Sequence, residues 1–312
     1  MRLRTFKKSW SEADSASNGI MFAADGKMGA PLMKQIHKGW SDDKKYLIES
    51  EQGNQLLRVA RLELAGQKRQ EFNWMKKVAE LGVPISRPLS FQVTNEVQSY
   101  FTWCEGRDAE EVLPLLTKEE QYELGKQSGI YLQKIHSLSA PDEDLLWEEK
   151  FSRKIDRKIN VYQQCPLSFE GDEFVIRYIE ENRHLLKDRP QSFQHGDYHT
   201  GNMILSPNRE LSIIDFNRFD FGDPWEDFNR IVFTAELSPA FATGQLHGYF
   251  NGEPPELFFR LLTLYIATNT LSGLPWAMKF GQAEIEVMRE QAKQVQNWYQ
   301  NMTKIVPTWY RA

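Results

Sequence analysis

Apolar and polar positions follow two rhythms along this chain, and the change falls near residue 105. Between residues 33 and 60, the short apolar runs "MKQIHKGW", "KKYLIES" and "QLLRVA" are separated by turn residues such as "EQGN". That is the pattern of an antiparallel hairpin sheet. In "KRQEFNWMKKVAELG" the apolar residues Phe72, Met75, Val78, Ala79 and Leu81 recur at helical intervals and stop at Gly82, before Pro84, so one helix is expected after the hairpin. "SFQVTNEVQSYFTWCEG" returns to strand composition and ends in Gly106. Beyond it, Thr117 followed by Glu120 forms a capping box, and Leu124, Gly125, Ser128, Tyr131, Leu132 and Ile135 carry a helix face to His136. Short strands are expected in "SFQH", "MIL" and "LSIID", and closing helices in "ELFFRLLTLYIATNTL" and "EIEVMREQAKQVQNWYQNM".

The chain's 312 residues exceed the usual size of one hydrophobic core, which predicts two lobes. We place the first at 31–104, after a weakly ordered extension over 1–30, and the second, mainly helical, at 105–312. Lysine and arginine number 38 against 43 acidic residues, a net charge of -5, and the basic residues form no stripe, which argues against nucleic acid as a partner. Cys104 and Cys165 make neither a disulfide framework nor a metal-type pair, in keeping with a reducing, cytoplasmic setting. The basic start "MRLRTFKKSW" runs into "SEADSASNG" rather than an apolar segment, so no secretory signal is expected. Leu261 to Met278 carries no charge, but Thr263, Thr268, Asn269, Thr270, Ser272, Gly273 and Pro275 interrupt it. It reads as a buried helix and not a membrane span.

The chemistry concentrates in "QHGDYHTGNMIL", residues 194–205, which holds His195, Asp197, His199 and Asn202. Three readings are open. His195, Asp197 and His199 at alternate positions could form a metal cage of the zinc-hydrolase kind, which leaves Asn202 without a task. His195 and Asp197 could work as an acid/base pair. The third reading joins Asp197 to Asn202, five residues on, and to Asp215, eighteen residues on, within "LSIIDF". A carboxylate, an amide and a second carboxylate are what phosphoryl transfer from a magnesium nucleotide requires: Asn202 and Asp215 as oxygen ligands, Asp197 as acceptor of the attacking hydroxyl's hydrogen bond.

"HGDYHTGN" followed by "IIDF" resembles the catalytic loop and metal-binding segment of the aminoglycoside phosphotransferase and choline kinase superfamily. The matching positions are His195, Gly196, Asp197, Asn202, Ile214, Asp215 and Phe216. The resemblance implies a protein-kinase-like α+β fold, an N-terminal antiparallel sheet with one helix and a larger helical lobe, with ATP, or GTP in its place, and Mg2+ between the lobes. It implies Asp197 as catalytic base, Asn202 and Asp215 on magnesium, and a structural His195. "KGWSDDKKY" is similar to the family's phosphate-covering loop, with Gly39 and Ser41 approaching phosphate. Arg58 in "LLRVA" stands where the family's nucleotide cation is usually lysine, Glu71 stands at its partner glutamate, and "YFTWCEG" looks like the adenine hinge, centred on Trp103. The implied partners are a nucleotide and a small-molecule acceptor, with no nucleic acid and no membrane. An aminoglycoside-like cation would suit the acidic run from Asp220 to Asp227. The alternatives are a metabolic kinase for an amino alcohol, sugar or amino acid, a macrolide kinase, and a nucleotide-binding pseudokinase acting as a regulatory module. Asp223 is expected to stabilise a helix N-terminus, His199 to pack its loop, and Trp225, Trp276 and Trp309 to serve packing.

Overall fold

The computed structural model describes residues 32–37, 42–141 and 145–311. The extension expected over 1–30, and Gly39 and Ser41 of the expected phosphate loop, lie outside the described residues. The rest separates into two compact units, one of residues up to Lys76 together with Ser86–Cys104, the other of Lys77–Ile85 and the chain from Glu105 onward.

In the first unit, strands β1 (Leu32–Ile36), β2 (Lys44–Glu49), β3 (Gln55–Ala60), β4 (Pro88–Val93) and β5 (Val97–Thr102) form an antiparallel sheet in the order β1-β2-β3-β5-β4. Along β5 the buried residues are Val97, Ser99 and Phe101, the period-two burial of a strand with one face on the core. Phe101 and Phe91 pack against Phe72 of helix α1 (Ala65–Glu80), with ring centroids 5.7 and 5.4 Å apart. The helix begins three residues before its expected start at Lys68, because a 3-10 turn at Leu62–Leu64 leads directly into it. At its other end Gly82 adopts a positive φ of 70°, a left-handed stop that glycine takes without strain.

A single boundary near residue 105 does not describe the chain fully, since residues 77–85 group with the second unit. The cause is a backbone pairing: the Ile213 N-H donates to the Pro84 carbonyl at 2.8 Å, and Ile85 bridges Ile213 in parallel. The second unit then runs through β6 (Arg107–Asp108), α2 (Ala109–Val112), α3 (Lys118–His136), α4 (Trp147–Gln163), α5 (Asp172–Asn182), β7 (Ser192–Gln194), β8 (Met203–Leu205), β9 (Leu211–Ile213) and β10 (Asp220–Gly222). It ends with α6 (Ile231–Leu237), α7 (Pro239–Phe250), α8 (Glu256–Thr270), α9 (Gly273–Ala277) and α10 (Gln282–Tyr299). The Thr117 and Glu120 capping box is formed in both directions at the start of α3. Strands β7 and β10 pair antiparallel, while β8 lies between β6 and β9.

Helices α3 and α7 meet through small residues. A Cβ added at Gly125 or Gly129 would lie 2.1 Å from the carbonyl oxygens of Phe241 and Gln245, and one at Gly244 or Gly248 would lie 2.2 or 2.0 Å from those of Tyr122 and Lys126. The two backbones therefore touch, and Gln245 donates to the hydroxyl of buried Ser128 at 3.1 Å across the crossing. Helix α8 buries Phe258, Leu261, Leu262, Leu264 and Ile266. Its Thr263 and Thr268 hydroxyls donate back to the carbonyls of Phe259 and Leu264, so their polarity is absorbed locally. By length and composition Glu256–Ala277 could cross a membrane, and 67% of its most apolar window is buried inside the fold.

Replacing Gly129 by alanine should force the α3 and α7 backbones apart, at a cost of about 1–3 kcal/mol for overpacking. Urea unfolding of Gly129→Ala beside the parent protein measures it, and an unchanged midpoint would count against backbone contact at this crossing.

Candidate active site

Strand β7 delivers the chain into a loop whose shape is set by Gly196 and Asp227. Gly196 has φ 80°, and a Cβ there would sit 1.9 Å from the Arg218 carbonyl oxygen, so no side chain fits. Buried Asp227 accepts from the N-H groups of His195 at 2.7 Å and Gly196 at 2.8 Å, and His136 Nε2 lies 3.2 Å from the same carboxylate. His195 is fully buried. Its Nδ1 accepts from the Asp197 N-H at 3.2 Å and its Nε2 lies 3.0 Å from the Ile214 carbonyl. Since a backbone N-H only donates and a carbonyl only accepts, the proton sits on Nε2. Burial is the main cause holding its pKa below the ordinary value, against the nearby carboxylates of Asp227 and Asp197. With both ring nitrogens committed, His195 has no lone pair for a metal. The metal-cage reading fails on that geometry, and among the described residues no group of three His, Cys, Asp or Glu side chains could hold a metal ion.

Asp197 follows at the loop's apex. Its Oδ1 lies 3.1 Å from Arg230 Nε and 3.8 Å from His199 Nε2, and its Oδ2 lies 3.8 Å from Arg218 Nε. Burial alone would raise its pKa, but His199, Arg230 and Arg218 outweigh burial and hold the carboxyl well below the usual carboxylate range. His199 Nδ1 also accepts from the Gly201 N-H at 3.1 Å, so it caps the turn as well as facing Asp197.

Asn202 closes that turn. Its Nδ2 donates to the Asp197 carbonyl at 2.9 Å, and its own carbonyl accepts from the Ile214 N-H at 3.0 Å. This pairing sets Asn202 beside the segment that leads into Asp215. Asp215 itself has φ 68°, and its Oδ1 is buried with no hydrogen-bond partner among the described residues. An unsatisfied buried carboxylate oxygen costs about 1–3 kcal/mol or more. The amide oxygen of Asn202 and the orphaned oxygen of Asp215 are hard donors, and this donor set fits a magnesium ion.

In the first unit, buried Arg58 on β3 donates Nη1 to Glu71 at 2.6 Å and Nη2 to Asp43 at 2.7 Å. The Arg58 and Glu71 pair was expected from the family resemblance. Asp43 and Lys68 were not: Lys68 Nζ lies 2.6 Å from Asp43 and 3.4 Å from Glu71. Burial would raise the Asp43 pKa, and Arg58 and Lys68 together keep it low. Trp103, the expected hinge centre, donates its N-H to the Asn54 carbonyl at 3.2 Å, so that donor is already engaged within the unit.

The acidic run from Asp220 to Asp227 is turned inward. Asp223 accepts from Arg189 through both oxygens at 2.7 and 3.0 Å, from Tyr265 at 2.6 Å and from the Trp225 N-H at 3.0 Å. It is a buried hub as well as the N-terminal cap expected. Glu226 pairs with Lys154 at 2.8 Å and Gln194, and Asp220 with Lys150 at 3.3 Å. The run therefore offers no free cluster to a cationic acceptor. Trp225 packs on Phe250 and Phe258 beneath Arg189, and Trp309 is buried. Sequence reasoning missed Arg218 and Arg230. Their signal is present in hindsight, since "DFNR" occurs twice, at 215–218 and 227–230, each time ending in an arginine that reaches Asp197.

The sequence model described as the phosphotransferase enzyme family matches residues 33–259. No curated protein sequence matches the chain. Similar solved structures include a choline/ethanolamine kinase family protein from Mesorhizobium loti, 14% identical, TM-score 0.63, covering 88% of this chain and 90% of that one. A thermostable mutant of aminoglycoside phosphotransferase APH(4)-Ia, in ternary complex with AMP-PNP and hygromycin B, is 16% identical with TM-score 0.63, covering 89% and 96%. The streptomycin-ATP-APH(2″)-IIa ternary complex is 18% identical with TM-score 0.59, covering 85% and 92%. At such identities the likeness is one of fold, and it is the kinase-like α+β fold expected from the sequence.

If Asp227 holds the loop as described, Asp227→Ala leaves two buried N-H groups without acceptors, each worth about 1–3 kcal/mol. The expected loss of about 3 kcal/mol or more should appear in chemical unfolding, and amide hydrogen exchange at His195 and Gly196 should lose its protection.

Proposed function

The chain belongs to the phosphotransferase enzyme family, and from that premise we propose that it moves the terminal phosphoryl group of ATP to a hydroxyl of a small molecule, with Asp197 as the catalytic residue. The observation that carries this reading is the Asp197 carboxylate, kept ionised by Arg230, Arg218 and His199 on a loop that also presents Asn202, which pairs with the segment leading into Asp215. In the reaction the acceptor oxygen attacks the terminal phosphorus in line, an O-P bond forms as the bridging bond to the nucleoside diphosphate breaks, and the proton passes to Asp197. Because that carboxyl is a weak base, its early contribution is a hydrogen bond that orients the hydroxyl; proton transfer comes late, when the esterified oxygen has become acidic.

Asn202 and Asp215 would hold magnesium, which when bound supplies positive charge to the phosphates. Arg58, steadied by Glu71 and Asp43, is assigned to the nucleotide phosphates, and the backbone near Trp103 to the base. Nucleotide is the co-substrate of the family's chemistry; the choice of ATP over GTP, and of magnesium, is part of the proposal. The aminoglycosides bound in the similar structures make that class one arm of the test, beside amino alcohols, sugars and macrolides.

Phosphate transfer with magnesium and ATP or GTP across such a panel, beside Asp197→Asn, tests the reading. Turnover in the variant should fall by about 10²–10⁴-fold, the usual contribution of a positioned acid/base group, with nucleotide affinity retained. A variant as active as the parent would overturn the assignment of Asp197. For Asp215→Asn, replacing a carboxylate whose buried Oδ1 has no hydrogen-bond partner among the described residues by a neutral amide should raise the metal-free protein's unfolding free energy by about 1 kcal/mol, while magnesium-dependent nucleotide binding, followed by calorimetry, is lost.

A further inference from the structure

A cavity of about 140 Å³ opens beside the Asp197 loop in the second unit, comparable with the cavities of about 150 Å³ that hold a benzene-sized group. Its wall includes Gly196, Arg218 and Arg230, the backbone neighbour and two charge partners of Asp197, and also Lys154 and Lys158 from α4. Two acids, Asp220 and Glu226, complete the charged lining. Both are occupied, Asp220 by Lys150 at 3.3 Å and Glu226 by Lys154 at 2.8 Å. Arg218 and Arg230 share the single carboxylate of Asp197.

Lys158 is left over. Its ammonium reaches the Asn269 amide oxygen at 3.4 Å, and no carboxylate lies within ion-pair distance of it among the described residues. Asn229, buried in the same wall, donates its Nδ2 to the Glu226 carbonyl at 2.6 Å, and its amide oxygen has no hydrogen-bond partner among the described residues. An unmatched cation and an unused acceptor in one small cavity ask for a ligand that brings a negative charge and a hydroxyl.

We propose that this cavity is the acceptor site and that it takes a compact hydroxyl compound bearing an anionic group, a carboxylate or a phosphate ester, with Lys158 binding the anion and Asn229 a hydroxyl. The proposal rests on the phosphotransfer reading above for the fate of the hydroxyl that faces Asp197: its oxygen takes the phosphoryl group and its proton goes to Asp197. It departs from a cationic acceptor, which the unbalanced charge of the cavity repels.

The surroundings give the site a pH signature. Burial first, then Lys154, push the Lys158 amine down to about 7, with Arg230 and Arg157 acting in the same direction and Glu226 against them. Asn269 faces it from α8 without charge. In the empty cavity Lys158 is thus protonated below about pH 7 and loses its proton above it, so affinity for an anion falls as pH rises through that value.

The test uses the full-length protein with glycerate, gluconate and glycerol 3-phosphate as anionic probes. Glycerol, choline and kanamycin serve as neutral and cationic ones, all at matched ionic strength. Binding is read by calorimetry and thermal shift, and transfer by nucleoside diphosphate release. At least one anionic probe should bind the parent protein, about tenfold or more weakly in Lys158→Met, as loss of a charge-assisted bond implies, and more weakly at pH 8 than at pH 6. That pH dependence should vanish in the variant. Asn269→Asp, which places a negative charge against Lys158, should weaken the same probe and decides the matter if Lys158→Met does not fold. Anion binding without transfer would support the cavity and overturn the phosphotransfer reading. The proposal falls if no anionic probe binds, if only neutral or cationic probes are phosphorylated, or if Lys158→Met raises the KM for ATP and leaves the acceptor's KM unchanged.

Discussion

Asp227 is a carboxylate almost wholly removed from solvent, and its two oxygens accept from the N-H groups of consecutive residues, His195 and Gly196. Removing a charge from water is costly unless hydrogen bonds replace the hydration. Here the replacement is the backbone of the loop itself, so the carboxylate is stable only while that loop keeps its shape. The left-handed Gly196 and the imidazole of His195, locked between the Asp197 N-H and the Ile214 carbonyl, follow from it. His136 extends the same constraint into α3, and its Nδ1 meets the Tyr249 hydroxyl of α7 at 3.0 Å. The glycine-lined contact of α3 with α7 thereby supports the site, because it fixes the two helices that hold His136 and Tyr249 together.

Two carboxylates thirty residues apart, Asp227 buried and Asp197 half-buried, are set to different work by their partners. Both oxygens of Asp227 are saturated by fixed donors. Asp197 instead has ion-pair contacts at 3.1 to 3.8 Å, which keep it charged without saturating its lone pairs. Asp215 completes the contrast with a buried oxygen that has no hydrogen-bond partner among the described residues. A fold tolerates such an orphan where a ligand supplies the missing partner.

Much of this was legible in the sequence where the information is local. The spacing of Asp197, Asn202 and Asp215 survives into the structure because the Ile214 N-H and the Asn202 carbonyl pair across two short strands. The Thr117 cap, the β3 run and α1 likewise depend on neighbours in sequence. Long-range pairings were not legible. The backbone pairing that draws residues 77–85 into the second unit connects Pro84 with Ile213, and no periodicity announces it. Lys158 and Asn269 meet across 111 residues. The acidic run misled for the same reason: as a string, Asp220 to Asp227 suits a cationic acceptor, while in space Arg189, Lys154, Lys150 and the loop N-H groups consume it.

The arginine at position 58 follows the same logic of placement. Lysine carries one nitrogen on a flexible stem, whereas the guanidinium spreads two donors in a fixed plane. At position 58 those two donors serve two different carboxylates at 2.6 and 2.7 Å, one on the segment leading into β2 and one on α1. Lys68 contributes the second positive charge, so two cations face two acids in a buried cluster. With lysine at 58, one nitrogen would have to reach both Asp43 and Glu71, and whichever carboxylate it missed would keep only Lys68 as its charge partner. The fork of arginine therefore gives each of the two carboxylates its own donor. Asp43 and Lys68 are what distinguish this site from a simple lysine and glutamate pair.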